Sequence, residues 1–391
     1  MMKKILAAAI VSAFAAPAFA ATANVDIYGV VGVSVDYVDG GSGNAGDNFT
    51  SKDSESRARV SSNTSYIGFK GAEDLGGGLS AVWQIEQAVS LDQGAGTAAP
   101  GTWAGGRNSF GGLSSKTLGS LTFGNQDTPY KTSTGKLDVF GGGQYLADYR
   151  SLFGATTNGS VRATNSVLYT SPSLGGLTLR ALGGAQQENG STRDPRLYSL
   201  SGVYENGPLF ATLAYESTRF ATGAATVIAG AGGNTYSTDP LSTAETDQKS
   251  WRAGVGYSFG NTKLGLAYEK TDLDSDALTG TIDGGDTSVS TDRDAWYASV
   301  AHKMGNITLK AAYTKANELD GTDDTGASQY SLGASYALSK RTELFGLYTQ
   351  VKNDSDAAYS LGGGGTGIHA VNTAAVGQDP RGISVGMIHK F

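Results

Sequence analysis

Asn24–Tyr37 reads NVDIYGVVGVSVDY. Val25, Ile27, Val31, Val33 and Val35 fall on one side of an extended chain, and Asp26, Tyr28, Ser34 and Asp36 fall on the other. A period of two with one greasy face marks a strand that meets different solvents on its two sides. The pattern returns in Trp251, Ala253, Val255, Tyr257 and Phe259, opposed by Arg252, Gly254, Gly256 and Ser258. It returns again in Ile307, Leu309, Ala311 and Tyr313, and in Tyr330, Leu332, Ala334, Tyr336 and Leu338. Two segments are ambiguous. In 342–352 Leu344 and Tyr348 compete with Phe345 and Leu347 for the greasy face, and 197–205 is little clearer.

The connectors alternate in length. Tight ones fall at 71–78, 116–120, 172–176, 206–208, 260–261, 305–306 and 339–341, most of them carrying the Gly, Asn or Pro that hairpins need. Long ones fall between them, at 38–56, 93–105, 128–161, 187–196, 220–249, 272–292, 318–327 and 353–380. Seven short and eight long connections join sixteen strands, and 353–380 has room to hide a further hairpin. A soluble sandwich has no reason to make every second connection long. A closed barrel in the bacterial outer membrane does, because one rim carries tight turns and the other carries loops. The expected fold is all-β, a 16-stranded antiparallel transmembrane β-barrel. A barrel of that width encloses water rather than a filled core, so the pattern implies a pore.

Composition narrows the alternatives. The 57 glycines follow no Gly-X-Y period, the eight prolines are too few for a Pro-rich disordered chain, and cysteine is absent, which excludes disulfides and thiol-ligated metal. Lys3 and Lys4 precede the apolar run from Ile5 to Phe14, and Ala18-Phe19-Ala20 follows, as in a cleaved signal peptide. Residues 1–20 are therefore expected to leave, and 21–391 to form the barrel. The run is short of the ~20 residues a membrane helix needs, and with no second apolar run the chain must span as strands. The net charge of −7 becomes more negative once Lys3 and Lys4 are gone, which argues against a nucleic-acid partner. Many of the 19 tyrosines, such as Tyr37, Tyr204, Tyr215, Tyr257, Tyr268 and Tyr336, lie near strand ends. That placement fits an interfacial girdle as well as plain strand propensity.

In the last segment Ile383, Val385, Met387, His389 and Phe391 occupy every second position back from the end. Together with Val25-Asp26-Ile27-Tyr28-Gly29, Ile67 to Gly78 (IGFKGAEDLGGG), Thr122 to Pro129 (TFGNQDTP) and Asn165 to Pro172 (NSVLYTSP), it resembles the Gram-negative general porins, most closely the β-proteobacterial type. The resemblance implies an outer-membrane homotrimer in which each barrel has its own water-filled channel, narrowed by an inward-folded third loop. It also implies that the terminal strand, through Phe391, His389 and Met387, is read by the outer-membrane assembly machinery.

The third loop, 128–161, carries Leu137 to Gly143 (LDVFGGG), similar to the Pro-Glu-Phe-Gly-Gly stretch of the family's constriction loop. The acid sits one place early, at Asp138, where the family often has Pro, and Val139 stands where Glu is common. Tyr66 and Asn125 replace two arginines that the family points inward, whereas Arg162 matches. The expected constriction is Lys131, Lys136, Asp138, Asp148, Arg150 and Arg162, with Asp127 at the loop's start. Charge decides ion preference in a narrow pore. This near balance predicts a poorly selective channel with a mild anion preference. By parity Lys70 and Arg180 face the lumen, as do Glu86, Arg252, Lys263, Glu269 and Lys310. Arg57, Arg59 and Arg107 share parity with lipid-facing neighbours and are placed in the rim, since a charge facing midplane lipid costs about 2–4 kcal/mol.

Asp272, Asp274, Asp276 and Asp283 approach a calcium-loop spacing, but the glycine required at its sixth place is Ala277, so a solvated acidic loop is the better reading. Its acids can still bridge through divalent cations to lipopolysaccharide. Of the three histidines, His302, His369 and His389, none accompanies a nucleophile motif, so no enzyme and no cofactor is expected. The expected role is passive diffusion of ions and small hydrophilic solutes. Two alternatives stand beside it. One is a channel specific for a sugar or organic anion, which would need an aromatic slide where only Tyr28 and Tyr66 are assigned to the lumen. The other is a surface adhesin or phage receptor.

Overall fold

The computed structural model describes residues 24–40, 56–92, 106–141, 144–154, 162–185, 196–220, 246–275, 289–362 and 377–391. The expected signal peptide, 1–20, lies outside them. Strands run in the order β1 (Asn24–Asp39), β2 (Arg57–Ser62), β3 (Tyr66–Gly76), β4 (Leu79–Ala88), β5 (Gly106–Ser115) and β6 (Gly119–Asp127). After the third loop come β7 (Arg162–Thr170), β8 (Leu177–Ala185), β9 (Arg196–Asn206), β10 (Leu209–Phe220), β11 (Thr246–Phe259) and β12 (Thr262–Ser275). The last are β13 (Val289–Met304), β14 (Ile307–Ala316), β15 (Ala327–Ala337), β16 (Thr342–Asn353) and β17 (Arg381–Lys390). Apart from β2 and β3, which both pair with β1, each pairs antiparallel with its sequence neighbours, and β1 pairs with β17 from Val30↔Lys390 to Asp39↔Arg381, which closes the sheet.

β2 and β3 are two halves of one crossing, so seventeen segments make a closed sixteen-stranded antiparallel barrel. Both halves pair with β1, but the register slips by one residue between Val33↔Ser62 and Val30↔Tyr66. Thr64, at φ 43°, sits in the interruption. An extra residue in one strand inverts the inside-outside parity beyond it. That slip overturns the lipid-facing parity read for Arg57 and Arg59. Arg59 stands opposite Asp36 and pairs with it at 3.5 Å, and Asp36 is buried in the lumen. A second slip, between Ile85 and Gln87, accompanies Arg107, which pairs with lumen-facing Glu86 at 3.1 Å. Arg57 lies opposite buried Val38 on the same inner face.

The alternation elsewhere holds with lipid and water as the two solvents. Val25, Ile27, Val35, Leu213, Leu332 and Val385 are more than half exposed on the outside, while Ser34, Asp36, Ser331, Ser335 and Ser384 are buried within. β16 resolves with Leu344 and Tyr348 outward and Phe345 and Leu347 inward; in β9 Tyr198 and Leu200 face out and Leu197 and Ser199 face in. Aromatic rings mark the outer face on the loop side of β9 to β16 and β1: Tyr198, Tyr215, Trp251, Tyr268, Trp296, Tyr313, Tyr330, Tyr348 and Tyr37. Neighbours meet as tilted pairs, Tyr215 with Trp251 at 4.4 Å and Tyr268 with Trp296 at 4.5 Å between ring centroids.

The end of the chain locks the seam. Gly29 and Phe391 exchange both backbone hydrogen bonds at 3.1 Å, and the Phe391 ring lies over Gly29, where an added Cβ would come within 2.6 Å of it. Thr342 bonds the His389 ring across the adjacent pair at 2.9 Å. Gly29→Leu is expected to overpack this contact by about 1–3 kcal/mol. Its barrel should convert to the unfolded gel form at a lower temperature than the native chain in detergent.

Candidate functional site

The third loop enters the barrel as a short helix, α1 (Pro129–Ser133), whose proline suits a first turn that lacks hydrogen-bond partners. Thr128 caps it, its hydroxyl accepting from the Lys131 amide at 3.1 Å. Tyr130 is wholly buried. Its amide donates to Ser199 at 3.0 Å and its hydroxyl donates to Glu269 at 2.6 Å. Arg252 forms an ion pair with the same carboxylate, donates to the Tyr130 carbonyl at 3.2 Å, and lies over the Tyr130 and Phe153 rings. The returning limb closes on the same pair, since the Gly154 amide donates to Glu269 at 2.5 Å. One buried ion pair thus holds both limbs of the loop.

Between the limbs, apolar side chains fill sockets left by wall glycines. A Cβ on Gly254 or Gly256 would meet Leu137 at 2.7 or 2.8 Å, one on Gly333 would meet Phe140 at 2.9 Å, and one on Gly382 would meet Leu146 at 2.7 Å. Ser299 donates to the Leu137 carbonyl at 2.7 Å, Lys263 to the Lys136 carbonyl at 2.5 Å, and Gln144 to Ser335 at 3.3 Å. The Tyr149 ring packs at a tilt against those of Phe153 and Tyr297, at 5.5 and 4.4 Å between centroids. The loop therefore lies along the inner wall from β9 round to β17. Phe345 and Leu347 face inward because Phe140 and Leu146 cover them in one cluster.

The structure sorts the expected constriction charges into pairs. Asp127 takes Lys131 at 2.7 Å and Arg162 at 3.2 Å. Arg150 grips Asp148 at 2.5 Å, and Lys136, exposed, reaches Glu205 at 2.5 Å. Arg180 donates to Thr132 at 2.6 Å. Asp138 is half-buried, accepts from the Phe140 amide at 2.9 Å, and shares its surroundings with Asp148, Arg150 and Lys310. Burial and the nearby Asp148 charge raise its carboxyl to about 7. Arg252 and Glu269 do face inward, but beneath the loop rather than into water.

Lys70 lies on the β1–β5 side of the lumen with a group the sequence showed only in part. It rests over Tyr28 at 5.0 Å, Tyr28 meets Tyr66 edge-on at 6.1 Å, and Arg107 covers Tyr66 at 4.0 Å. Glu86 joins them by accepting from Tyr28 at 2.9 Å and from Arg107 at 3.1 Å. Arg107 and Glu205 were missing from the expected site. Parity pointed Arg107 outward, and Glu205 becomes relevant only when Lys136 is brought across the lumen.

A family model described as Gram-negative porin matches residues 7–356. The chain is 28% identical to outer membrane porin protein 32 of Delftia acidovorans over the whole of both chains. It is also 28% identical to an outer membrane porin protein of Bordetella pertussis, across 90% of this chain and 95% of that one. Among solved structures, an anion-selective porin from Comamonas acidovorans superposes with a TM-score of 0.71 at 23% identity, over 94% of this chain and 100% of that chain. The trimer form of OmpT from Vibrio cholerae superposes with a TM-score of 0.66 at 16% identity, over 94% and 99%.

Removing one partner of a buried pair leaves an uncompensated charge, so Arg252→Ala should destabilise the barrel by about 3–5 kcal/mol. Arg252→Met combined with Glu269→Leu should lose far less, as read by thermal melting in detergent. Asp138 offers a pH test. Its raised value means the fold favours the protonated form, a stabilisation complete below the ordinary carboxylate range and lost as pH rises through about 7. Anion-over-cation permeability should rise as pH is lowered from about 8 to about 6, and Asp138→Asn should abolish the dependence.

Proposed function

Since the chain belongs to the Gram-negative porin family, we propose that it forms a poorly charge-selective pore with a mild preference for anions. That it is an outer-membrane porin, a water-filled channel through which ions and small hydrophilic solutes diffuse passively, follows from the family and the barrel. The observation that carries the weak selectivity is the pairing of the constriction charges. Lys131 and Arg162 share Asp127, and Arg150 takes Asp148, so the narrow zone presents short dipoles rather than rings of one sign. Opposed charges in contact largely cancel beyond a Debye length of ~8 Å at physiological salt. The family and fold are those of a channel rather than an enzyme.

The working form is a homotrimer. The outer faces of β9 to β16 and of β1 carry the aromatic girdle, which belongs at a lipid boundary. On β4 to β8 the corresponding outer face presents Ile85, Leu113, Leu121, Phe123, Val167 and Leu179, on strands of only 9 or 10 residues. That low apolar arc, with Phe123 and Tyr169 as its exposed rings, suits contact with a second copy. Above the girdle, exposed pairs such as Arg219 with Asp247, Lys270 with Asp292 and Arg381 with Asp39 suit the charged headgroups of lipopolysaccharide. The terminal strand, ending in Met387, His389 and Phe391, serves as the signal for the assembly machinery.

A solute-specific channel is favoured by one observation, the Tyr28–Tyr66 pair with its covering cations. A single pair is not a slide along the lumen, so passive diffusion remains the better reading. Planar-bilayer recording tests it: currents should step up in threes, stay ohmic, and give a small reversal potential of anion sign in a salt gradient. A reversal potential near the ideal cation value, or purified protein that passes no ions, would refute it.

A further inference from the structure

Beneath the loop, at the rim of tight turns, four cations surround a cleft of about 460 Å³. Lys303 is the last residue but one of β13, Lys340 and Arg341 lie in the turn between β15 and β16, and Lys390 closes β17. Lys303 and Lys390 keep the inward parity of Ser299 and Ile388, which are buried in the lumen. Glu343 is the sole acid among the described lining residues. It accepts from Gln144 of the constriction loop at 3.3 Å, so the cleft reaches up to the loop itself.

The contrast with the constriction is chemical. Lys131, Lys136, Arg150 and Arg162 each have a carboxylate within 4 Å. Lys303, Lys340, Arg341 and Lys390 have none among the described residues. Their backbone is nonetheless fixed. The Ser339 hydroxyl accepts from the amides of Arg341 at 3.1 Å and Thr342 at 3.0 Å, and the Lys390 amide donates to the Arg341 carbonyl at 2.8 Å. Cations gathered in a concavity raise the local concentration of anions. A mixed Lys and Arg set offers many N–H donors to an anion with several acceptor oxygens.

We propose that this periplasmic cleft is a weak binding site for a small polyvalent oxyanion, such as phosphate, a phosphate monoester or a dicarboxylate. The cleft then adds to the anion preference of the channel at its exit, below the narrowing made by the loop. The inference rests on the pore reading above.

The test uses the full protein inserted from one chamber into a planar bilayer in potassium chloride, with inorganic phosphate added to each side in turn. Phosphate on the tight-turn side should reduce the current at least about twofold more than the same concentration on the loop side. The triple variant Lys303→Gln, Arg341→Gln, Lys390→Gln should lose this difference and lower anion-over-cation permeability by about twofold. Lys116→Gln, on the same rim but in the β5–β6 turn, should change neither. A phosphate effect equal from both sides in the native channel overturns the proposal without any variant, as does a conducting triple variant that keeps the difference. Absence of any conductance would instead remove the pore reading.

Discussion

A guanidinium and a carboxylate taken out of water cost several kcal/mol each unless they meet one another and find further hydrogen bonds. Arg252 and Glu269 satisfy this condition only because the constriction loop supplies the remaining partners: the Tyr130 carbonyl and hydroxyl on the way in, and the Gly154 amide on the way out. The loop and the wall therefore complete each other. Without the loop the pair would face open water across a wide lumen. Without the pair the loop would have no fixed point at which to enter and return.

From that anchor the interior departs from the simple rule of lipid outside and water inside. Leu137, Phe140, Leu146, Leu152 and Phe153 are buried although they lie within the barrel. They pack against wall positions that are either apolar, such as Phe345 and Leu347, or bare glycine. Many glycines of the chain thus have a purpose beyond turns: at 254, 256, 333 and 382 they give the loop's side chains room to approach the wall. Close packing of this kind distinguishes a loop held in place from one that hangs in the channel.

Charge inside the barrel follows a vertical order. At the level of the loop Asp127 is matched by Lys131 and Arg162 and Asp148 by Arg150, and the slips near Thr64 and Glu86 turn Arg59 and Arg107 inward to Asp36 and Glu86. Towards the tight turns the matching lapses around Lys303, Arg341 and Lys390.

The sequence by itself determined the barrel. Period two, alternating connector lengths and the terminal Phe391 strand are local features imposed by the two solvents, and the rest of the structure does not alter them. It also identified the third loop, placed Lys131, Asp138, Asp148 and Arg150 on it, and set Arg162 just beyond its end. Tertiary structure alone decided which charges meet. Arg107 joins Glu86 through a one-residue slip that parity counting does not register, and Lys136 meets Glu205 across 69 positions of chain. The two readings of β16 were equally greasy in sequence, because one face meets lipid and the other meets Phe140 and Leu146. Apolar side chains carry no mark that tells an oily membrane from a docked loop, so only the folded barrel settled that face.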